Sequence, residues 1–333
     1  MQCFFKDFFG IDTASLPSNS GSITIQWPTF EEALGIIELA ITRKESYKGY
    51  LLGKKNPGGK LKNLEAVREN LIFLIAKILD EKLKQPKSKA DRPHKNLVKR
   101  LSNCNKLENT CFISLNYDIL IDNALEIDNS DNGVSPDYGI KLFNNSRTGK
   151  EWRECSNKIK LYKLHGSLNW LYCPTCIKLY HYPGEKAAAS EEKSPCSKCD
   201  TPIIPLLVPP TFFKVMENYY LQQIWHKAES AFLEADKIYF CGYSFPDADI
   251  HIKYLIKRAE MNRKNGWAIF AVNNRESLES NSKKEYLSDH HKNELWDRYH
   301  RFFNQEKSKI NFTTLCFQDF CKSDIEPDNI IQD

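Results

Sequence analysis

Cys173, Cys176, Cys196 and Cys199 form two Cys-x2-Cys pairs separated by nineteen residues. Two residues between cysteines let a tight turn aim both sulfurs at one ion, and two such turns complete a tetrahedral zinc shell. Four thiolates leave no open coordination position. The spacing therefore predicts a structural zinc that helps its own loop to fold, and any reaction must be sought elsewhere. His165, in the segment His165-Gly166-Ser167 just upstream, is the first candidate.

Four apolar runs end in residues able to meet a polar ligand. Ser114-Leu115-Asn116-Tyr117-Asp118 follows one, His165-Gly166-Ser167 a second, Gly242-Tyr243-Ser244 another, and Asn273-Asn274 the last. In open parallel sheets, ligands sit in the crevice beyond the carboxyl ends of the strands. An amide, a titratable imidazole, a glycine that admits close backbone approach and a hydroxyl would converge there on one polar ligand.

The elements that must position these groups come in two textures. Residues 1–109 read as helical. Thr29 and Glu32 form a capping box ahead of Leu34, Ile37, Leu39, Ala40 and Ile41. A longer helix from about Asn63 carries Leu64, Val67, Leu71, Leu74, Ile75, Ile78 and Leu79 as one stripe, and a third spans His94 to Asn103. Beyond residue 110, short apolar runs (Cys111–Leu115, Leu161–Leu164, Ile203–Val208, Lys237–Cys241, Trp267–Val272) alternate with helical patterns such as Phe213–Ala235 and Asp247–Lys264. This predicts an α/β fold: a Rossmann-like parallel sheet with helices on both faces and a small zinc-ribbon insertion at 171–202, too poor in apolar residues to hold a core. Phe312–Phe317 reads as an edge strand. The division expected is a single domain over 1–321, with 110–321 its Rossmann-like part, and an acidic tail over 322–333.

Composition narrows the class. With 41% hydrophobic and 27% charged residues the chain reads as an ordinary globular protein. Its net charge of +4 is spread along the whole length, which offers no footprint for nucleic acid. No apolar stretch approaches the roughly 18 residues of a membrane helix, and no signal core is evident, so a cytoplasmic location is expected. The seven cysteines outside the two pairs are scattered, as reduced thiols would be. Asn116 reads equally as the cap of a helix over Tyr117–Leu125, and Asp247 as the cap of the next. Tyr219, Tyr220, Trp225 and Phe232 read as core.

Taken in order, SLNYD (Ser114–Asp118), KLHGS (Lys163–Ser167), the two cysteine pairs, PLLVPPTFFK (Pro205–Lys214), GYSFPD (Gly242–Asp247) and Val272-Asn273 resemble the sirtuin-like proteins, over Thr110 to about Asn274. The variants are similar to those of bacterial sirtuin-like NAD hydrolases of anti-phage defence. The Phe-Gly-Glu segment with which deacetylases of the family help to bind acyl-lysine peptide is absent. The resemblance implies that NAD is the substrate, cleaved between nicotinamide and ribose, with Asn116 positioning water or a ribose hydroxyl and His165 accepting its proton. By position it also implies that Ser114, Asp118, Gly242, Ser244 and Asn273 bind NAD, with Asp118 holding the Asn116 loop or a ribose hydroxyl, Gly242 and Ser244 approaching phosphate or ribose, and Asn273 binding the adenosine ribose. A defence effector of this kind implies self-association or a separate sensor protein as activator.

One departure bears on activity. Family members open with a strand and a Gly-Ala-Gly-x-Ser loop that grips the dinucleotide phosphates, whereas this chain contains no Gly-x-Gly, and Met1–Gly10 resembles the part of the family sequence downstream of that loop. A start placed too far downstream and a truncated copy both account for it. The readings carried forward are an NAD hydrolase, an NAD-dependent protein deacylase using the same pocket, and a non-catalytic nucleotide-binding or interaction domain.

Overall fold

The computed structural model describes residues 2–11, 28–52, 62–84, 92–126, 134–145, 157–190, 195–208, 218–247, 249–272, 290–313 and 315–322. Helix α1 (Gln2–Phe9) buries Phe4, and α2 (Phe30–Arg43) starts at the expected capping box. The Thr29 hydroxyl accepts from the Glu32 amide at 3.1 Å, and the Glu32 carboxylate accepts from the Thr29 amide at 2.7 Å. A short parallel pair, β1 (Tyr50–Leu51) and β2 (Lys62–Asn63), leads into α3 (Leu64–Lys84). The core takes Leu71, Ile72 and Ala76 of α3, which shifts its buried stripe off Leu74 and Ile78; these stay 38% and 44% exposed. Helix α4 (Pro93–Asn103) follows.

Next come β3 (Phe112–Ser114), α5 (Leu120–Glu126), β4 (Val134–Asp137), β5 (Phe143–Asn144), β6 (Asn157–Lys163), β7 (Gly166–Cys173), β8 (Lys178–His181) and β9 (Ile204–Leu207). Helix α6 (Tyr219–Glu234), β10 (Lys237–Cys241), α7 (Ile250–Asn262), β11 (Ala268–Val272), α8 (His290–Phe302), β12 (Lys309–Thr313) and α9 (Phe317–Lys322) complete the chain.

Two parallel three-stranded sheets, β3-β6-β4 and β10-β11-β12, share one hydrophobic core. In β11 four consecutive residues, Ile269 to Val272, are buried, which requires cover on both faces. Leu221, Ile224, Ala228 and Phe232 of α6 join the same core, as do Ile252, Leu255, Ile256 and Ala259 of α7. The α/β expectation holds. Strand β4 was not legible because Pro136 lies inside it; the strand sits at a sheet edge, where a missing N–H costs no ladder bond.

Several expectations are corrected. Ile203–Val208 does form a strand, but β9 lies antiparallel to β7 in a separate sheet, β5-β8-β7-β9. A four-residue apolar run carries no information about its partner. The cysteine-bearing segment is no coreless insertion: Leu171, Cys173, Tyr180, Tyr182, Ala187–Ala189, Cys196 and Ile203 are buried in a second core with Leu34, Ile37, Leu64 and Leu71 of the first helices. The last strand ends at Thr313 and Phe317 begins a helix, because Phe320 and Cys321 turn inward at helical spacing. Tyr219 is 58% exposed, while Trp225 donates its indole N–H to the Leu164 carbonyl. Pro209, Pro210 and Asn273 lie outside the described residues, as does most of 322–333.

Candidate active site

Strands β3 and β6 run parallel in register, Phe112 beside Leu161 and Ser114 beside Lys163, so the residues that follow each strand emerge side by side. The Leu164 amide donates to the Ser114 carbonyl at 3.1 Å, and the Leu168 amide donates to the Tyr117 carbonyl at 2.9 Å. Between those two bonds Asn116 stands exposed, its own amide turned back onto the Ser114 hydroxyl at 3.2 Å. The Asp118 carboxylate accepts from the Leu120 amide at 2.9 Å. The Asp118 carboxylate, not the Asn116 side chain, therefore meets the first amide of the helix, which starts at Leu120.

His165 is only 3% exposed. Its carbonyl accepts from the Val208 amide at 2.9 Å, the Val208 carbonyl accepts from the Tyr117 hydroxyl at 2.8 Å, and the Tyr117 and His165 rings lie 6.3 Å apart. The chain thus closes a ring from the SLNYD loop through β9 to the imidazole segment. Gly166 makes the crossing possible: its φ is +83°, and a Cβ there would fall 1.9 Å from the Leu206 carbonyl oxygen. Behind Tyr117 a hollow of about 10 Å³ is lined by Phe30, Ile72, Ile75 and Leu207, and Tyr117 packs against the core that α2 and α3 share.

Gly242 and Ser244 stand at the carboxyl end of the other parallel sheet. The Gly242 amide donates to the Val272 carbonyl at 2.9 Å with φ +70°, and the Ser244 carbonyl accepts from Arg298 at 3.3 Å. The neighbouring Tyr243 carbonyl accepts from the Tyr299 hydroxyl at 2.8 Å. Asp247 pairs with Lys253 at 3.1 Å, while Asp249 takes the N-cap position of α7 with no side-chain cap bond.

The four cysteine sulfurs lie within 4.8 Å of one another, with neighbouring pairs at 3.3, 3.4, 3.5 and 3.7 Å. Sulfurs at about 2.3 Å from a tetrahedral zinc stand roughly 3.8 Å apart, whereas a disulfide needs about 2.05 Å, so the set fits a metal and not a bridge. The two turns repeat each other. Ile177 and Asp200, each directly after the second cysteine of its pair, both have φ above +50°. The turns are joined by the Thr175 and Thr201 hydroxyls at 2.9 Å. A β-branched residue such as Ile177 rarely adopts that backbone, and here it directly follows Cys176 in the turn. The Tyr180 hydroxyl, 3.1 Å from Cys196 Sγ, pulls that thiol down to about 5, toward the thiolate a metal requires.

Two buried charged residues went unassigned in the sequence. Lys163 and Asp122 have wholly buried side chains and pair at 3.1 Å. The Tyr138 hydroxyl donates to Asp122 at 2.7 Å and lies 3.4 Å from His181 Nε2, while His181 Nδ1 lies 3.1 Å from the Asn144 amide oxygen. The available signal was a lysine inside the apolar run Leu161–Leu164, where only a paired charge is tolerated. A cavity of about 70 Å³ adjoins this network, lined by Ser135, Asp137, Tyr138, Asn144, Lys158 and His181.

Burial holds His181 down at about 4, against the pull of Asp122. The folded protein thus keeps the ring neutral where the unfolded chain protonates it. Stability attributable to His181 is present above the ordinary value of 6.5 and is lost as pH falls from there toward about 4. Urea denaturation across this window should show the wild-type protein losing up to about 1.4 kcal/mol per pH unit relative to His181→Gln, the limit for one proton. Parallel curves for the two proteins would show that the ring titrates alike folded and unfolded.

Among the described residues no helix is long and apolar enough to cross a membrane. No curated protein sequence matches the chain. Among solved structures, the chain is similar to a sirtuin determined for the structural basis of substrate affinity, at 16% identity over 70% of this chain and 69% of that one, with a TM-score of 0.35. It is also similar to a Sir2 homologue in complex with ADP-ribose, at 16% identity over 74% and 78% with a TM-score of 0.37, and to a Sir2 complex with a p53 peptide and NAD+, at 17% over 70% and 67% with a TM-score of 0.35. The sequence model of the SIR2-like domain matches residues 110–300, more than half of the chain and the stretch that holds SLNYD, KLHGS, the four cysteines and GYSFPD. The chain belongs to the SIR2-like domain family.

Proposed function

We propose that the chain is an NAD hydrolase. Water, positioned by the Asn116 amide, attacks the anomeric carbon of the nicotinamide ribose. The carbon–nitrogen bond breaks, nicotinamide leaves with the bonding electrons, and His165 takes the proton lost by the water. An imidazole has a ring nitrogen that can accept that proton. Asp118 and Ser114 hold the loop; Gly242, Ser244 and Asn273 contact the phosphates and riboses. Zinc, held by Cys173, Cys176, Cys196 and Cys199, has no part in the reaction.

The observation that supports this reading is the backbone pairing of the segment that carries Asn116 with the segment that carries His165, both within the family-matched stretch. In a cell such an activity drains NAD, the action of a defence effector, with self-association or a separate sensor protein as its trigger. The deciding experiment incubates the purified chain with NAD alone and with an acyl-lysine peptide, and quantifies nicotinamide and ADP-ribose. Release without peptide supports the hydrolase. Release only with peptide, yielding acylated ADP-ribose, supports the deacylase; NAD binding without release in either arm supports a non-catalytic domain.

A further inference from the structure

We propose that Lys163 is a positioning residue for the Asn116–His165 pair, acting as a cross-tie beneath the two loops with Asp122 as its counter-charge. The inference rests on the hydrolase reading for its kinetic consequence but not for its structural one. Lys163 is the last residue of β6, two positions before His165, and Asp118 lies two positions after Asn116. The wholly buried Lys163 ammonium donates to the Asp118 backbone carbonyl and to Asp122 Oδ2, the latter at 3.1 Å. One cation thus bonds the segment that carries the imidazole to the segment that carries the amide.

The SLNYD loop hangs from its neighbour at three carbonyls: Ser114 on the Leu164 amide, Tyr117 on the Leu168 amide, and Asp118 on Lys163. The first two are continuations of backbone pairing, available to any residue type. The third depends on a side chain, and it fixes the end of the loop where the chain turns into α5. Asp122 sits on that same helix. Its other oxygen accepts from Tyr138 of the segment after β4, so its own position is set independently of the lysine.

Stability alone does not explain the pair. A buried ion pair replaced by well-packed neutral groups of similar volume commonly leaves a fold no weaker, whereas removing one partner strands a buried charge. What an apolar pair cannot do is hold the Asp118 carbonyl. That asymmetry separates a positioning role from a structural one.

The test compares Lys163→Met with the double variant Lys163→Met/Asp122→Asn, in zinc-loaded full-length protein. The single variant is expected to lose thermal stability together with nicotinamide release. The double variant carries no stranded charge and should regain most of the melting temperature while kcat stays down about 100-fold, the scale of an ångström-sized misplacement. Its KM should move less than about threefold, because NAD contacts outside the loop persist. Amide exchange over residues 115–119 should be faster by about tenfold in the double variant, with the β10 strand unchanged.

Recovery of kcat in step with melting temperature would reduce the pair to a structural ion pair, and unchanged exchange in the 115–119 loop would overturn the tie itself. The exchange measurement needs no turnover. Should wild-type protein release no nicotinamide, the hydrolase reading fails by itself and the exchange result still decides the role of Lys163.

Discussion

Replacing His165 by alanine is expected to lower nicotinamide release from NAD by about 1000-fold, the midrange loss for a general base and roughly 4 kcal/mol of barrier. The effect should fall on kcat, since the proton moves to the ring only in the transition state. Its backbone carbonyl, which anchors Val208 and through it Tyr117, survives the substitution, so the loop geometry is retained. Asn116→Ala is expected to cost about 100-fold or more, as for a lost donor at a reacting centre, with no loss of stability because its side chain is exposed and does not cap the helix. Single-turnover assays of both variants beside the wild type provide the check. Full activity in His165→Ala would remove the imidazole from the reaction.

The second large effect concerns the metal. Cys173 and Cys196 are wholly buried, and their sheet shares its core with Leu34, Ile37, Leu64 and Leu71 from the first two long helices. A zinc ion held by these four cysteines would therefore stabilise more than its own loop. Without it, four thiols would be left within 4.8 Å of one another, two of them, Cys173 and Cys196, buried in that core. Atomic emission should find one equivalent of zinc in the wild-type protein and none in Cys173→Ser. At a cost of about 4 kcal/mol, taken as several kcal/mol for a lost structural ligand, the melting temperature of a chain this size should fall by about 10 °C. Chelation of the wild-type protein should reproduce the shift, and re-addition of zinc should reverse it. A melting temperature indifferent to chelator would mean that packing alone sustains the second core.

The sheet-end reasoning brought SLNYD and KLHGS to one edge because parallel strands in register must deliver their next residues side by side, a consequence of strand geometry that needs no knowledge of the rest of the fold. It could not place GYSFPD relative to them. Gly242 and Ser244 end a strand of a different sheet, and only the packing of the two sheets decides what they face. The same reasoning passed over Lys163, because a single charge in an apolar strand is uninterpretable until its counter-charge, forty-one residues earlier in the chain, is brought within 3.1 Å.

By itself the sequence determined those features whose causes are local. These are the capping box at Thr29, the helical stripe that starts at Leu64, the strand over Lys237–Cys241 and the two cysteine turns. Each rests on backbone propensity, side-chain period or ligand spacing within a few residues. Tertiary structure alone decided that Ile204–Leu207 runs antiparallel beside the cysteine hairpin, that this hairpin is core to the helical half, and that a buried lysine ties the two loops together. Each of these depends on pairing and desolvation between groups far apart in the chain, and such energies exist only once the chain has brought them into contact.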